Sequence, residues 1–268
     1  MEETILGHYN DINIANWREY TEINTDTLWI IDKRDNSGAH SGDYHGNFIP
    51  QIPFQMLSRY TKKGEWILDP FMGSGTSLIE AQRMERNSIG IELQESVANE
   101  AKNRISSEEH KECRTEVFAG DSTTIDMSAL LDKIGIKKYQ FVIFHPPYWD
   151  IIRFSNNPND LSNAESLDSF LESFGKAIDN TTQFLEKNRY CALVIGDKYA
   201  NSQVVPLGFY CMNLFIQKGF LLKAILVKNF GETKGKTNMQ KIWRYRALAN
   251  DFYIFKHEYI FVFKKIKG

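Results

Sequence analysis

The feature that most constrains the fold is an alternation of short apolar runs with longer helical stretches. Apolar runs typical of strands occur at 66–68, 88–92, 116–121, 141–144, 190–195, 220–227 and 259–263. Helical patterns lie at 54–60, 76–84, 96–105, 167–186 and 207–218. Strands that alternate with helices form a mostly parallel sheet with helices on both faces. We therefore predict a doubly wound α/β fold with a seven-stranded, mostly parallel sheet.

Length and composition limit the organisation. With 268 residues, 42% of them hydrophobic, the chain can bury one large core. Residues 1–45 are polar and irregular, so we predict a mobile arm or cap there and a single domain at 46–268. The start carries no leader-like apolar run and no apolar stretch reaches about 18 residues, so we expect a cytoplasmic protein without a membrane segment. Three widely spaced cysteines predict neither disulfides nor a metal site.

A glycine-rich turn follows the first strand of the core, with the sequence Asp69-Pro70-Phe71-Met72-Gly73-Ser74-Gly75-Thr76. Its two glycines let the backbone turn tightly and approach a ligand where a β-carbon would clash. Thr76 and Ser77 can cap the following helix. An anionic Asp69 beside the turn suits a cationic or amine-bearing ligand better than a phosphate. The turn also lacks the Gly-Lys-Ser/Thr ending of a Walker loop.

Two acids close the next two strands, Glu92 at the end of the second and Asp121 at the end of the third. A carboxylate about 20 residues after such a turn can accept hydrogen bonds from both ribose hydroxyls of a nucleoside. An acid one strand further can accept from an adenine amino group. Taken singly, each could be a solvated loop acid, but their regular spacing after Asp69 favours a nucleoside site.

The fourth strand ends in His145-Pro146-Pro147-Tyr148. Two successive prolines lack backbone N–H groups and leave a rigid row of carbonyl acceptors. Such acceptors suit an amino group, because bonding its hydrogens makes the nitrogen more tetrahedral and frees its lone pair. Tyr148 offers a face on which a flipped-out base can stack. A proline-stiffened turn packed by Tyr148 is the alternative interpretation.

Together the two strings resemble the motifs of the DNA amino-methyltransferases, which modify N6 of adenine or N4 of cytosine. Every specified position of Asp-Pro-Phe-x-Gly-Ser-Gly-Thr is matched, and the catalytic motif matches at Pro146-Pro147-Tyr148. The resemblance implies a Rossmann-like class I methyltransferase fold with S-adenosylmethionine as cofactor. It implies catalytic roles for His145, Pro146, Pro147 and Tyr148. The cofactor-binding residues that it implies are Phe48, Ile49, Pro50, Asp69, Pro70, Phe71, Gly73, Ser74, Gly75, Thr76, Glu92, Asp121 and Ser122.

The catalytic string departs from the family at His145, where the family carries Asp, Asn or Ser, so the target base stays open. A neutral imidazole can accept one hydrogen bond from an amino group, whereas imidazolium can only donate. We therefore expect the rate of methyl transfer to fall as the pH drops below roughly 6.5, the ordinary pKa of histidine.

A basic stretch late in the chain is the candidate contact to nucleic acid. Seven basic residues and one acid lie between Lys223 and Arg246, and we predict that an inserted segment at 228–252 contacts phosphates. A net charge of −2 means that such contact must come from a local patch. The predicted nucleic-acid contacts are Trp149, Arg153, Lys234, Lys236, Lys241, Arg244 and Arg246.

Two other functions stay open at this point. RNA guanine-N2 methyltransferases carry similar strings, and a catalytically silent subunit that binds S-adenosylmethionine and positions nucleic acid would account for His145. Methylation of cytosine C5 is disfavoured, because that chemistry uses a Pro-Cys nucleophile and no cysteine here follows a proline. Duplex DNA with base flipping is the expected partner. A restriction or specificity subunit and the oligomeric state are left open.

Overall fold

The computed structural model describes residues 9–44, 46–109, 111–230 and 240–267, the side chains of residues 240 and 241 excepted. The strands in this part of the chain are β1 (Leu28–Trp29), β2 (Trp66–Asp69), β3 (Asn87–Glu92), β4 (Thr115–Ala119), β5 (Tyr139–Phe144), β6 (Leu185–Ile195), β7 (Lys198–Ala200), β8 (Gln203–Val205), β9 (Phe220–Asn229) and β10 (His257–Lys265). The α-helices are α1 (Gln51–Tyr60), α2 (Thr76–Arg83), α3 (Glu95–Ser106), α4 (Met127–Ile134), α5 (Leu167–Thr182), α6 (Leu207–Gln217) and α7 (Gln240–Ala249).

Within the described residues the main sheet has eight strands in the order β1-β9-β10-β6-β5-β2-β3-β4. β10 runs antiparallel to both of its neighbours, and the other adjacent pairs are parallel. The predicted α/β class with a mostly parallel sheet is confirmed. The strand count differs from the predicted seven because β1, from the N-terminal arm, pairs with β9 at the sheet edge.

The sheet buries apolar side chains on both faces. On one face α4, α5 and α6 cover an aromatic cluster, in which Phe144 meets Phe174 and Phe215 with ring centroids 6.1 and 5.3 Å apart. On the other face α1 covers Phe141 and Ile143 of the same strand. This alternation along β5 is the period-2 pattern of a strand buried on both sides.

The N-terminal segment, predicted as a mobile arm or cap, packs against the domain over the part that the structure describes. Trp29 is only 2% exposed. Arg34 donates a 2.8 Å hydrogen bond to the carbonyl of Phe48. His40 Nε2 lies 2.6 Å from the Glu80 carboxylate of α2, and both side chains are buried. These contacts hold the described part of the N-terminal segment against α1 and α2.

Three further elements differ from the sequence prediction. The predicted helix at 167–186 ends at Thr182, because the chain enters β6 at Leu185. The helix α4 was missed although Asp126 caps it, accepting a 3.0 Å hydrogen bond from the backbone N–H of Ala129. The short hairpin of β7 and β8 was missed as well. Among the helices of the described ranges, none has the length and apolar character needed to cross a lipid bilayer.

Candidate functional site

A cleft of about 1520 Å³ opens at the carboxyl ends of β2, β3, β4 and β5. Ligands of doubly wound sheets bind at this edge. Single-ligand pockets usually measure about 300–1,000 Å³, so the cleft has room for two ligands side by side. The predicted site residues that line it are Phe48, Ile49, Pro70, Phe71, Gly73, Thr76, Glu92, Asp121, Ser122, His145, Pro146, Pro147, Tyr148, Arg244 and Arg246.

Asp69 lies beneath the glycine-rich loop and does not line the cleft. It is 1% exposed, and its carboxylate accepts hydrogen bonds from the Ser77 hydroxyl and, at 3.0 Å, from the backbone N–H of Phe71. Burial raises the pKa of Asp69 to about 7, while the bonds from Ser77 and Phe71 act in the opposite direction. In this structure Asp69 therefore braces the turn from below and does not face a ligand.

The expected side-chain cap of α2 is also wrong. The residue before the helix is Gly75, with φ of 85°, and no side chain caps the helix start. The Ser77 hydroxyl is used by Asp69, and the Thr76 hydroxyl donates a 2.7 Å hydrogen bond to the side-chain oxygen of Asn47. The first turn of α2 thus binds the strand below it and the N-terminal segment above it.

Three further predicted cofactor residues do not line the cleft. A β-carbon on Gly75 would lie 3.0 Å from the Ile105 side chain, so Gly75 faces α3. Ser74 is 4% exposed, and its hydroxyl has no hydrogen-bond partner among the described residues. Pro50 is buried at the start of α1.

Glu92 connects the end of β3 to the glycine-rich loop. One carboxylate oxygen accepts a 3.2 Å hydrogen bond from the Gly73 backbone, and the other accepts a 2.9 Å bond from the backbone of Gln94. Burial raises the pKa of Glu92, and the two backbone N–H groups counteract that shift. Because each carboxylate oxygen has two lone pairs, Glu92 retains acceptor capacity toward the cleft.

Asp121 and Ser122 lie at the end of the next strand. Oδ1 of Asp121 accepts hydrogen bonds from the backbone and hydroxyl of Thr123 at 2.8 and 2.7 Å. Among the described residues nothing donates to its Oδ2. Ser122 is buried, and its hydroxyl donates a 2.5 Å hydrogen bond to the carbonyl of Pro70. Asp121 thus offers a free acceptor to the cleft, whereas Ser122 fixes the loop.

An aromatic cover lies over the loop, and sequence analysis missed it. Tyr44 and Phe154 stack with centroids 6.2 Å apart and an interplanar angle of 22°, and both line the cleft. Tyr44 also lies against Gly73. Burial raises the pKa of Tyr44, so its hydroxyl stays neutral. The two rings lie 110 residues apart in the chain, and no local motif marks either of them.

A second missed feature is a row of hydrogen-bonded polar side chains that starts at His145. Its Nε2 atom lies 3.3 Å from the Tyr148 hydroxyl, which donates a 2.8 Å hydrogen bond to Glu258. The other carboxylate oxygen of Glu258 is 2.8 Å from Nζ of Lys228, and this pair is buried. Glu258 and Lys228 are direct cross-strand partners on β10 and β9. No local pattern singled out this pair, because β9 also carries Lys223 and β10 also carries Lys264 and Lys265.

The environment of His145 corrects the expected pH dependence. Burial lowers the pKa of His145 to about 4; nearby Glu258 opposes this shift and Lys228 adds to it. The imidazole is therefore neutral and able to accept a hydrogen bond well below pH 6.5. A fall in rate just below pH 6.5 no longer follows from the acceptor role.

The predicted nucleic-acid contacts fall into three groups. Arg244 and Arg246 lie on α7 and line the cleft, and both are exposed. Trp149 packs on the core and donates a 2.9 Å hydrogen bond to the carbonyl of Ala164, so it is a structural residue of the loop. Arg153 is exposed and does not line the cleft. Lys234 and Lys236 and the side chain of Lys241 lie outside the described residues.

The described ranges contain no group of three or more His, Cys, Asp or Glu side chains placed to hold a metal ion.

Part of the chain resembles known proteins. The sequence profile of N6_N4_Mtase, described as a DNA methylase, matches residues 7–103, which include Tyr44, the glycine-rich loop and Glu92. The Type II methyltransferase M.MjaII of Methanocaldococcus jannaschii is 50% identical over 50 residues, and M.Cfr9I of Citrobacter freundii is 35% identical over 86 residues. Residues 7–103, about a third of the chain, are thus similar to the DNA methylase family.

The matches to curated methylases are partial. They cover 19% and 32% of this chain, and 9% and 27% of the lengths of M.MjaII and M.Cfr9I. The fold is shared more widely. A SAM-dependent methyltransferase of Methanosarcina mazei superposes with a TM-score of 0.51 at 11% identity, over 80% of this chain and 98% of that one. The chain therefore has the class I methyltransferase fold.

Proposed function

We propose that this chain transfers a methyl group from S-adenosylmethionine to the exocyclic amino group of a DNA base, at N6 of adenine or N4 of cytosine. One observation carries the proposal. The glycine-rich loop with its two acids and the Pro146-Pro147 shelf line one continuous cleft, which has room for a cofactor and a base. Neither motif by itself would distinguish a binding module from an enzyme.

The loop side of the cleft fits the cofactor. Glu92 has unused lone pairs for the ribose hydroxyls, and Oδ2 of Asp121 is free to accept from the adenine amino group. Apolar surface from Phe48 and Phe71 borders the same space. S-adenosylmethionine supplies an electrophilic methyl group on a sulfonium when bound. Asp69, the acidic residue of the motif, supports the shape of the loop, because its carboxylate points away from the cleft.

The opposite side of the cleft fits an amino group. Among the described residues nothing donates a hydrogen bond to the carbonyl oxygens of Pro146 and Pro147, so these acceptors are available. Neutral His145 adds another acceptor, and it cannot repel the donor as an imidazolium would. Acceptors that hold the amino hydrogens direct the nitrogen lone pair toward the methyl carbon. Glu92 and Asp121 would hold the donor, which would give its methyl group to this nitrogen and leave as a neutral thioether, and the nitrogen would release one proton to solvent.

No covalent enzyme intermediate is formed in such a direct displacement. Most of the rate enhancement therefore comes from holding the amino nitrogen and the methyl carbon in the correct orientation. The hydrogen bond from Tyr148 to Glu258 fixes the tyrosine ring at the cleft wall. A base that leaves its helix can stack there while its amino group meets the shelf. Arg244 and Arg246 bring positive charge to the cleft lining, where the phosphates of DNA would pass.

The decisive experiment supplies labelled S-adenosylmethionine with duplex DNA, single-stranded DNA or tRNA, followed by identification of the modified nucleoside. The proposal expects label in duplex DNA as N6-methyladenine or N4-methylcytosine. Label in tRNA as N2-methylguanine would replace it with the RNA activity. Donor binding without transfer to any substrate would make the chain a silent subunit.

Two variants test the shelf. Pro147→Ala and Tyr148→Ala should abolish transfer and leave the affinity for the cofactor nearly unchanged, because neither residue belongs to the loop side. Isothermal titration with S-adenosylhomocysteine measures that affinity independently of turnover. A fully active variant at either position would refute the assignment of the base site.

A further inference from the structure

A row of four hydrogen-bonded polar side chains lies along one wall of the cleft. His145 lines the cleft, and its Nε2 atom lies 3.3 Å from the Tyr148 hydroxyl. Tyr148 contacts Glu258 at 2.8 Å, and Glu258 contacts Lys228 at 2.8 Å. Glu258 is 5% exposed and Lys228 is 4% exposed. The family motif accounts for the first two residues and for neither of the last two.

The direction of each hydrogen bond in this row follows from the groups themselves. The Lys228 ammonium has three donors and no acceptor, and a carboxylate only accepts. Lys228 therefore donates to Glu258, and Glu258 also accepts from Tyr148. A phenol has a single hydrogen, so the Tyr148 oxygen can present only a lone pair to His145. The nitrogen that faces it, Nε2, must then carry the hydrogen of the neutral imidazole.

We propose that Glu258, paired with Lys228, is a positioning residue that acts through Tyr148 to place the imidazole hydrogen of His145 on Nε2 and the lone pair on Nδ1. The Nδ1 lone pair is then the acceptor for the amino group of the target base. The tautomer stands on the hydrogen-bond geometry alone, whereas its use for the base rests on the function proposed above.

The placement of the ring agrees with this assignment. Nδ1 makes no hydrogen bond within the described residues, whereas Nε2 faces Tyr148. Phe48 packs edge-on to the imidazole with centroids 4.7 Å apart, which restricts ring rotation. In the opposite tautomer Nδ1 would carry the hydrogen. This N–H would then face the N–H groups of the target amino group, and two donors that face each other repel. Burial also lowers the pKa of His145 to about 4, which keeps a single hydrogen on the ring at neutral pH.

Glu258→Gln tests the direction of the hydrogen bonds in this row, because glutamine has almost the same shape as glutamate. Lys228 still needs an acceptor and would take the amide oxygen, so the amide nitrogen would donate to the Tyr148 oxygen. The phenol hydrogen would then turn toward Nε2 of His145 and move the imidazole hydrogen to Nδ1. The matched control is Glu172→Gln, which removes the same charge from an exposed pair with Lys176 on α5.

The measurement is ¹⁵N–¹H correlation of the imidazole nitrogens in ¹⁵N-histidine-labelled full-length protein at pH 7.5. The signal of His145 is assigned by its loss in His145→Asn. We expect the Nε2–H tautomer in the wild type and in Glu172→Gln, and the Nδ1–H tautomer in Glu258→Gln. Glu258→Gln should also lower kcat on DNA by about 100-fold, the lower end of what a positioned acid–base group contributes, with cofactor affinity unchanged.

The outcomes separate the two proposals. A wild-type protein in the Nδ1–H tautomer overturns the assignment, and this result needs no variant to fold. An unchanged tautomer in folded Glu258→Gln overturns the role of Glu258. If the tautomers behave as expected but the wild type methylates no nucleic acid, the positioning network stands and the proposed function fails.

Discussion

The ring of Tyr44 lies against Gly73, so that a β-carbon on this glycine would be 3.0 Å from Cε1 of the tyrosine. Tyr44 comes from the N-terminal segment and Gly73 from the glycine-rich loop, where its φ is 49°. The contact joins the cover to the loop at the cofactor side of the cleft. A glycine is needed at this position for two reasons: its backbone is left-handed, and the Tyr44 ring leaves no room for a β-carbon.

Replacement of this glycine should therefore weaken cofactor binding. Gly73→Ala combines left-handed backbone strain of about 1–2 kcal/mol with a displaced Tyr44 ring. Gly64→Ala is the matched control, because Gly64 has φ of 78° and nothing lies within 4 Å of a β-carbon there. Both variants should lose stability in urea unfolding. Only Gly73→Ala should bind S-adenosylhomocysteine more weakly, by about tenfold, corresponding to about 1.4 kcal/mol. Equal affinities would mean that the cover does not touch the cofactor site.

The buried carboxyl of Asp69 predicts a pH-dependent stability. Its pKa in the folded protein is raised from 3.8 to about 7, so the folded state binds the proton more tightly than the unfolded state. Stability from this group is present at low pH and is lost as the pH rises through about 7. By linkage, its contribution should fall by about 2–3 kcal/mol between pH 5 and pH 8.

Asp69→Asn isolates that effect from the other titrating groups. The amide does not titrate, so the variant should gain stability relative to the wild type on going from pH 5 to pH 8. Free energies of unfolding from urea titrations at both pH values give the difference. A constant difference between the two proteins would show that Asp69 is already ionised at pH 5.

The pH profile of methyl transfer should be flat, as far as His145 is concerned, from pH 5.5 to pH 8. Burial lowers its pKa to about 4. The imidazole therefore loses its acceptor lone pair only near that pH, where both ring nitrogens carry a hydrogen. His145→Asn keeps an acceptor without a titrating ring and should retain activity without the decline near pH 4. The initial rates need circular dichroism controls for folding. An inflection near pH 6.5 that His145→Asn removes would contradict the buried, neutral imidazole.

Arg244 and Arg246 should contribute to DNA affinity through charge. Each Arg→Ala variant should weaken binding to all DNA sequences alike and reduce the slope of log K against log salt concentration by about 1. Arg18→Ala is the control, since Arg18 is exposed and lies outside the cleft lining, with its guanidinium over Trp17. Fluorescence anisotropy at several salt concentrations gives both quantities. A slope that changes equally in the control would assign the effect to net charge alone.

The sequence by itself determined the order of the core strands and helices and the two ligand-binding strings. Each of these is written in a local pattern, such as an apolar run, a Gly-Ser-Gly turn or a pair of prolines. The position of Glu92 was predictable too, because the end of a strand and its spacing from the turn are both local.

Only the tertiary structure decided which side chains meet at the cleft. The Tyr148–Glu258 contact joins residues 110 positions apart, and the Glu258–Lys228 pair depends on the register between β10 and β9. Asp69 does not face the cleft, because its carboxylate is hydrogen-bonded in the interior to Ser77, eight residues further on in the first turn of α2. Periodicity specifies which face of an element is buried, but contacts between distant elements depend on packing and strand register, which no local pattern encodes.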